Sequence, residues 1–247
     1  MRLIAPLNRR PNVHVGVDST ARSLSQAVEN LSRKDGHMGL YATPDMSFVD
    51  ILSKAGVGGT ASRGIRVVFG EGTWFFNAAG FSTSRDKIHL ISLSPGRTVF
   101  ARTQTATGPL LTFSGSECIV SGIRFDDAAG TEPAVKVTGS KFRLSDCWFE
   151  DCWRALQADG SSYLTTDGNH VEASRDTTYS VFVTGTATDC RVDSWTVESS
   201  PTTEIYMGDS VTRSIISGNR TSGGVISYTG GGSGNVASAN TGTVTAR

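Results

Sequence analysis

The chain has 247 residues, enough for one large domain or two small ones, and its 23 basic and 23 acidic side chains leave a formal net charge of zero. Charged residues are only 19% of the total, so no basic excess is present to hold nucleic acid or an anionic membrane, and neither partner is expected. No segment approaches the ~20 apolar residues of a membrane span, and a surface this poor in charge is weakly protected against association, as suits a protein built into an assembly.

Residues 1–17 contain Pro6 and Pro11, lack a clear period, and alternate weakly at Val13, Val15 and Val17. They read as an extended arm, either disordered or laid along a neighbour. The opening "MRLIAPLNRRPNVHVG" does not read as a secretory signal, because its short apolar run is followed at once by Asn8-Arg9-Arg10-Pro11. Synthesis and folding in a cytoplasm are therefore expected. Residues 18–64 read as a helical cap and connector. Asp18-Ser19-Thr20 supplies an N-cap, and Leu24, Ala27, Val28 and Leu31 recur at helical spacing. A second helical patch carries Met46, Val49 and Leu52 and stops at Gly56. Residues 57–64 are a Gly/Ser/Thr connector.

From Ile65 the pattern changes to short strands. Between Leu110 and Thr221 one phrase is written five times: "LTFSGSECIVSGIRFDD", "VKVTGSKFRLSDCWFED", "LQADGSSYLTTDGNHVEA", "VFVTGTATDCRVDSWTVES" and "IYMGDSVTRSIISGNRTS". Each has an apolar strand, a small-residue turn, a second strand, another turn and a third apolar run. The turn glycines Gly115, Gly139, Gly160, Gly185 and Gly208 are separated by 24, 21, 25 and 23 residues. Repeats of this length without a helical period mark a β-solenoid, whose coils stack about 4.8 Å apart so that like residues form vertical columns. One inward column reads Phe125, Phe149, Val171, Val197, Thr221. A second reads Val120, Leu144, Thr165, Val192, Ile216. An ordinary β-sandwich also places strands every 8–12 residues, but it has no reason to keep this register.

Cys118 and Cys190 share an inward column three coils apart, roughly 14 Å by rung spacing, beyond the reach of a disulfide. Cys147 and Cys152 lie across a turn, and His14, His37, His89 and His170 are scattered rather than paired as zinc would require. The thiols read as reduced, small core residues, and no metal or cofactor is expected.

The sharpest chemical feature is a column of acids just after the third strand of each phrase: Asp126, Glu150, Glu172 and Glu198, then Ser222, with Asp127 and Asp151 beside the first two. Carboxylates one rung apart repel and raise one another's pKa. A retaining glycosidase uses a pair about 5–5.5 Å apart and an inverting one a wider gap, so Asp126, Glu150 and Glu172 are candidates for acid–base work. Alternatively the acids splay into solvent and are neutralised by Arg124, Arg143, Arg154 or Arg175, or the register slips by one residue in the third coil. By strand alternation Trp74, Trp148, Trp153 and Tyr179 fall on the outside or at turns, where aromatics stack on sugars or anchor protein interfaces.

A helix shaped like "SLSQAVEN", followed by the strand–Gly-x-Gly–strand "VVFGEGTWFF", resembles the entrance to the right-handed parallel β-helix of pectate-lyase-like proteins, of the kind found in bacteriophage tailspikes and other phage virion proteins. The likeness spans residues 20–245, and in that group the helix caps the first coil. It implies an all-β fold: a single right-handed parallel β-helix over residues 65–247, of about eight coils and roughly 35 Å, with a short helical cap. The clustered Asn-Thr-Asp, Gly-His-Gly and Arg-Ile-Lys motifs of polygalacturonase-like enzymes are missing, and only "FDD" at Phe125–Asp127 is reminiscent of them. The Arg-x-Pro-x-x-Arg stretch of pectate lyases is missing too, so no enzymatic motif, and no catalytic, cofactor or metal residue, carries over.

The resemblance implies a non-enzymatic virion structural protein: a homotrimer serving as capsid decoration, head or tail fibre, or tailspike-like part, with residues 1–17 tying it to other virion proteins. The alternative is a tailspike that degrades or binds a host surface glycan with the Asp126/Glu150/Glu172 row. The last stretch, "GVISYTGGGSGNVASANTGTVTAR", forms a thin final coil that is either frayed, covered by another chain, or packed with two other tails.

Overall fold

A computed structural model describes residues 24, 26–30, 37–48, 50–51, 64–102, 105, 107–176, 178–198, 203–208, 210–228 and 234–246. The arm at residues 1–17, the Asp18-Ser19-Thr20 cap, Leu31, Val49, Leu52, Gly56, residues 57–63 and Arg247 lie outside the described residues.

The chain winds as a right-handed parallel solenoid of about seven turns. Strand β1 (His37–Ala42) opens it. The first full coil holds β2 (Gly64–Phe69), β3 (Gly72–Phe75) and β4 (Phe81–Thr83), and the second β5 (Ile88–Ser92), β6 (Thr98–Ala101) and β7 (Leu111–Phe113). Next come β8 (Ile119–Ser121), β9 (Ile123–Asp126) and β10 (Pro133–Val137), then β11 (Arg143–Ser145), β12 (Trp148–Glu150) and β13 (Arg154–Asp159). They are followed by β14 (Thr165–Asp167), β15 (His170–Val171) and β16 (Tyr179–Thr184), and by β17 (Arg191–Asp193), β18 (Thr196–Val197) and β19 (Thr203–Met207). The last windings are β20 (Ile215–Ser217) with the long β21 (Arg220–Tyr228), and β22 (Val236–Ser238) with β23 (Thr241–Ala246).

These strands stack on three faces. The first face runs β1-β2-β5-β8-β11-β14-β17-β20-β22. The second runs β3-β6-β9-β12-β15-β18 and the third β4-β7-β10-β13-β16-β19. Strand β21 joins the two at the far end and pairs with β23. Every pairing is parallel, between strands one winding apart, because a thin coil buries its apolar side chains only against its neighbours.

The inward columns follow from register. Phe100, Phe125, Phe149, Val171, Val197 and Thr221 are successive Cα partners, as expected. Val120, Leu144, Val192 and Ile216 also align, but their middle member is Thr166 rather than Thr165. Strand alternation explains the slip: Thr166 is fully buried while Thr165 points outward. Phe125 and Phe149 stack face to face at 4.9 Å, and burying each contributes roughly 2–3 kcal/mol.

A short helix at residues 26–30 buries Val28. The second helical turn starts at an N-cap in which Ser47 Oγ accepts the Asp50 N–H at 3.1 Å and donates to the Asp50 carboxylate at 2.6 Å. Its core-facing side chains are Phe48 and Ile51. Phe48 touches Phe69, Phe76, Phe81 and Phe100, so this turn plugs the first coil with an aromatic ring. Of the expected apolar face, Met46 packs only partly buried against the core. Strand β1 is a further rung within residues 18–64.

Two corners of every coil take left-handed backbone, mostly without glycine. Between the third and first faces the corner residues are Lys87, Glu117, Lys141, Tyr163, Asp189 and Arg213, all with φ between 52° and 60°. Their side chains stand one above another with alternating charge: Glu117 meets Lys87 at 3.8 Å and Lys141 at 3.0 Å, and Asp189 meets Arg213 at 2.6 Å. The cations hold the Glu117 and Asp189 carboxyls below their ordinary values. Of the expected turn glycines, Gly115, Gly139, Gly160 and Gly185 follow aligned strand ends, whereas Gly208 sits one position out of step. Gly139 is required by close approach, since a Cβ there would strike the Gly115 carbonyl.

The second corner, between the first and second faces, carries an internal ladder. Asn169 Oδ1 accepts the Cys147 N–H at 3.0 Å, and its Nδ2 donates to the Leu144 carbonyl at 3.1 Å. Asn219 does the same for Trp195 N–H and the Val192 carbonyl, and Asn240 for Asn219 N–H and the Ile216 carbonyl. These amides, buried at Asn169 and Asn219 and half-buried at Asn240, satisfy backbone groups that a turn would otherwise leave unpaired. All four cysteines are free and buried. Burial pushes the Cys118 thiol up to about 11 and Cys147 up to about 12, and raises Cys152 and Cys190.

Candidate functional site

The acid column is real and lies on the outside of the second face. Asp126 and Glu150 are Cα partners. The Glu172 N–H donates to the Phe149 carbonyl, the Glu198 N–H to the Val171 carbonyl, and the Ser222 hydroxyl to the Glu198 carbonyl, so the column continues as the sequence predicts.

Beside it runs a second outward column, Val99, Arg124, Trp148, His170, Thr196 and Arg220. The two columns interlock diagonally. Arg124 pairs with Glu150, the Trp148 indole N–H donates to Glu172 at 3.0 Å, and His170 Nε2 lies 4.0 Å from Glu198. Trp148 also packs on His170, with ring centroids 4.1 Å apart. Each of these three carboxylates is thus engaged by a group one coil earlier. Asp126 is the exception: the residue one coil earlier is Val99, and Asp126 has no side-chain partner among the described residues.

Of the expected neutralising arginines, only Arg124 touches the row. Arg143 stands on the first face, Arg154 binds Asp176, and Arg175 binds Asp151 at 3.3 Å. Exposed pairs of this kind are worth about 0–1 kcal/mol and serve to hold the face in register.

The "FDD" likeness dissolves on inspection of Asp127. Its carboxylate is fully buried and gripped by the Arg102 guanidinium fork at 2.8 and 2.6 Å. Arg102 spends its remaining donor on the Ala78 and Gly108 carbonyls. Burial pushes the Asp127 carboxyl up while Arg102 pulls it down. Arg175 reaches over to the Asp127 and Gly130 carbonyls, both at 2.5 Å. The pair is therefore a clasp on the loop between β9 and β10, out of reach of any substrate.

The aromatics sort differently from expectation. Trp148 is 39% exposed, as expected, but Trp74 is buried. Its phase is fixed by pairing with Phe100, and it is Phe75 that faces outward at 67% exposure. Trp153 is half-buried at a turn. Tyr179 is half-buried too and packs with Phe182 and Tyr206, over which Arg154 lies 4.9 Å from the Phe182 centroid.

Next to Asp126 a groove of about 670 Å³ opens on the second face, lined by Phe75, Val99, Ala101, Ala128, Arg124 and Asp126 among others. Sequence reasoning does not single it out, because the run of aromatics in "GTWFF" hides which ring faces outward. Among the described residues no three His, Cys, Asp or Glu side chains converge to hold a metal ion. Nor is any described helix long and apolar enough to cross a membrane.

No protein-family model matches the chain, and no curated protein does. Two solved structures align with it. A protein of Geobacillus virus E2, ORF18, superposes with a TM-score of 0.54 at 13% identity, covering 95% of this chain and 65% of that one. The chain therefore spans about two thirds of that protein's length. The A-module of the Azotobacter vinelandii mannuronan C-5 epimerase AlgE4 aligns over 92% of this chain and 93% of that one, at 9% identity and a TM-score of 0.32. What the chain shares with the viral protein is the right-handed parallel β-helix, the fold of pectate-lyase-like proteins.

Proposed function

We propose that the protein is a non-enzymatic structural component of a bacteriophage virion, a capsid decoration, fibre or tailspike-like part, which works as a homotrimer and is tied to other virion proteins through residues 1–17. The observation that carries the non-enzymatic half is the state of the acids. Glu150, Glu172 and Glu198 are each spoken for by Arg124, Trp148 and His170, and Asp127 is locked under Arg102. A glycosidase needs two carboxyl groups poised on either side of a bond, and this column offers one unengaged carboxylate, Asp126. The virion half is supported by the likeness to the Geobacillus virus E2 protein across 95% of the chain. Quantitative mass spectrometry of purified particles tests it. Copies in multiples of three are expected, and deletion of residues 1–17 should prevent incorporation. Absence of the protein from purified particles overturns the reading.

One observation favours a second reading. Trp148, exposed over His170 and anchored by Glu172, is a platform on which a sugar ring could stack, which suits a tailspike that binds a host surface glycan or cuts it with the Asp126/Glu150/Glu172 row. Retention on immobilised host polysaccharide, lost in Trp148→Ala, supports binding. Release of reducing ends, lost in Asp126→Asn, supports cleavage.

A further inference from the structure

The groove beside Asp126 is partly an apolar surface that no described residue covers. Phe75 is 67% exposed at its mouth, and Val99, Ala101 and Ala128 contribute to its walls. Exposed aromatic surface of this kind on a stacked coil marks a contact site. Its polar end is a carboxylate, Asp126, that no described residue neutralises, while the neighbouring Arg124 is already paired with Glu150. The occupant should therefore combine aliphatic side chains with positive charge.

The first seventeen residues of this chain have that composition. They carry Leu3, Ile4 and Leu7 together with Arg2, Arg9 and Arg10, and contain no aspartate or glutamate. Fully extended, seventeen residues reach roughly 55 Å. The distance from Phe75 up the acid column to Glu198 is five rungs, about 24 Å. Length is therefore ample, and charge is complementary along the whole track, where Asp126, Glu150, Glu172 and Glu198 outnumber Arg124 and His170.

We infer that the groove on the second face is the docking site for residues 1–17 of this chain, with the aliphatic residues against Phe75 and the arginines along the acid column. The contact is independent of the tethering role given to the arm above, since its receiver is the body of a copy of this same protein and not another virion protein. A neutral glycan would not need the unpaired carboxylate, and a second body docked face to face would set two acid columns against each other.

The test uses the full-length chain with a photo-crosslinking phenylalanine analogue at position 75, and a control carrying it at Tyr163, which is 53% exposed at the corner leading into the first face. Irradiation and peptide mapping should join position 75 to a peptide within residues 1–17, and the Tyr163 control should not. The yield should fall several-fold at about 1 M salt, where the Debye length is about 3 Å, and also in the double variant Arg9→Ser/Arg10→Ser. Mixing isotopically heavy and light chains reads whether the joined residues belong to one copy or two, and either result supports the site. Crosslinks from position 75 only to body residues, equal arm crosslinks from Tyr163, or no arm crosslink at low salt each overturn it. These measurements need no particles, so their failure leaves the incorporation assay above standing by itself.

Discussion

The two ends of the stack solve the same problem with different side chains. In the early coils the inside is filled by aromatic rings. Phe69, Trp74, Phe76 and Phe100 form edge and tilted contacts around Phe48, and Phe125 stacks on Phe149. In the later coils the phenylalanine column gives way to Val171, Val197 and Thr221 beside the buried Trp195, with the asparagine ladder of Asn169, Asn219 and Asn240 at the corner. The first half is held by burial, which is non-directional and tolerates rearrangement. The second adds to its own buried core of Val181, Trp195, Ile205 and Ile216 amides that fit only one geometry. The difference teaches that a solenoid can trade apolar volume for directional bonding and keep the same backbone path.

The largest expected effect tests the aromatic half. Phe149→Ala should cost about 3–5 kcal/mol in denaturant unfolding, because it removes the ring that stacks on both Phe125 and Trp195. A loss under about 1 kcal/mol would mean that the coil collapses to fill the hole. In the ladder half, Asn219→Ala should cost about 2 kcal/mol, since it leaves the Trp195 N–H and Val192 carbonyl buried without partners. Asn219→Asp should not restore the loss, because a carboxylate cannot donate to the carbonyl.

A smaller effect concerns Glu204, fully buried in β19, where its Oε1 accepts the Gly224 N–H at 2.8 Å inside an irregular stretch of β21. Burial raises its pKa above the ordinary carboxylate value. The folded state then binds this proton more tightly than the unfolded chain, so stability falls as pH rises from about 4.3 through the folded value. Glu204→Gln should accordingly be more stable than wild type at neutral pH, and the gap should close as pH drops toward 4. A constant gap across that range would show that the carboxyl does not titrate differently on folding. The smallest perturbation leaves stability alone. With thiols buried and pushed to about 11 and 12 at Cys118 and Cys147, a thiol reagent at pH 8 should label none of the four cysteines until denaturant is added.

Much of this architecture was legible in the sequence because vertical partners repeat an approximate period. The Phe125–Thr221 column, the acid row and the shared column of Cys118 and Cys190 all follow from aligning five phrases. Legibility failed where the repeat carries no contrast. In "GTWFF" three aromatics in succession hide the alternation, so Trp74 reads as outward although Phe75 is the exposed ring. In "TTD" two threonines look alike, and only burial separates Thr166 from Thr165. The ladder asparagines follow a small residue at 168–169, 218–219 and 239–240, a pattern that carries no strand period and so gives no sign of the backbone groups they bind. The clasp between Arg102 and Asp127 joins residues in an irregular loop, where no repeat guides the eye.

The alternating corner column of Lys87, Glu117 and Lys141, echoed by Asp189 and Arg213, has a consequence for how the chain finds its winding order. Were one coil skipped during assembly, Lys87 would sit on Lys141, and an attraction would become a repulsion at the very point where the backbone reverses. The edge of the stack thus favours the native winding order over a skipped turn by about 0–1 kcal/mol per exposed pair.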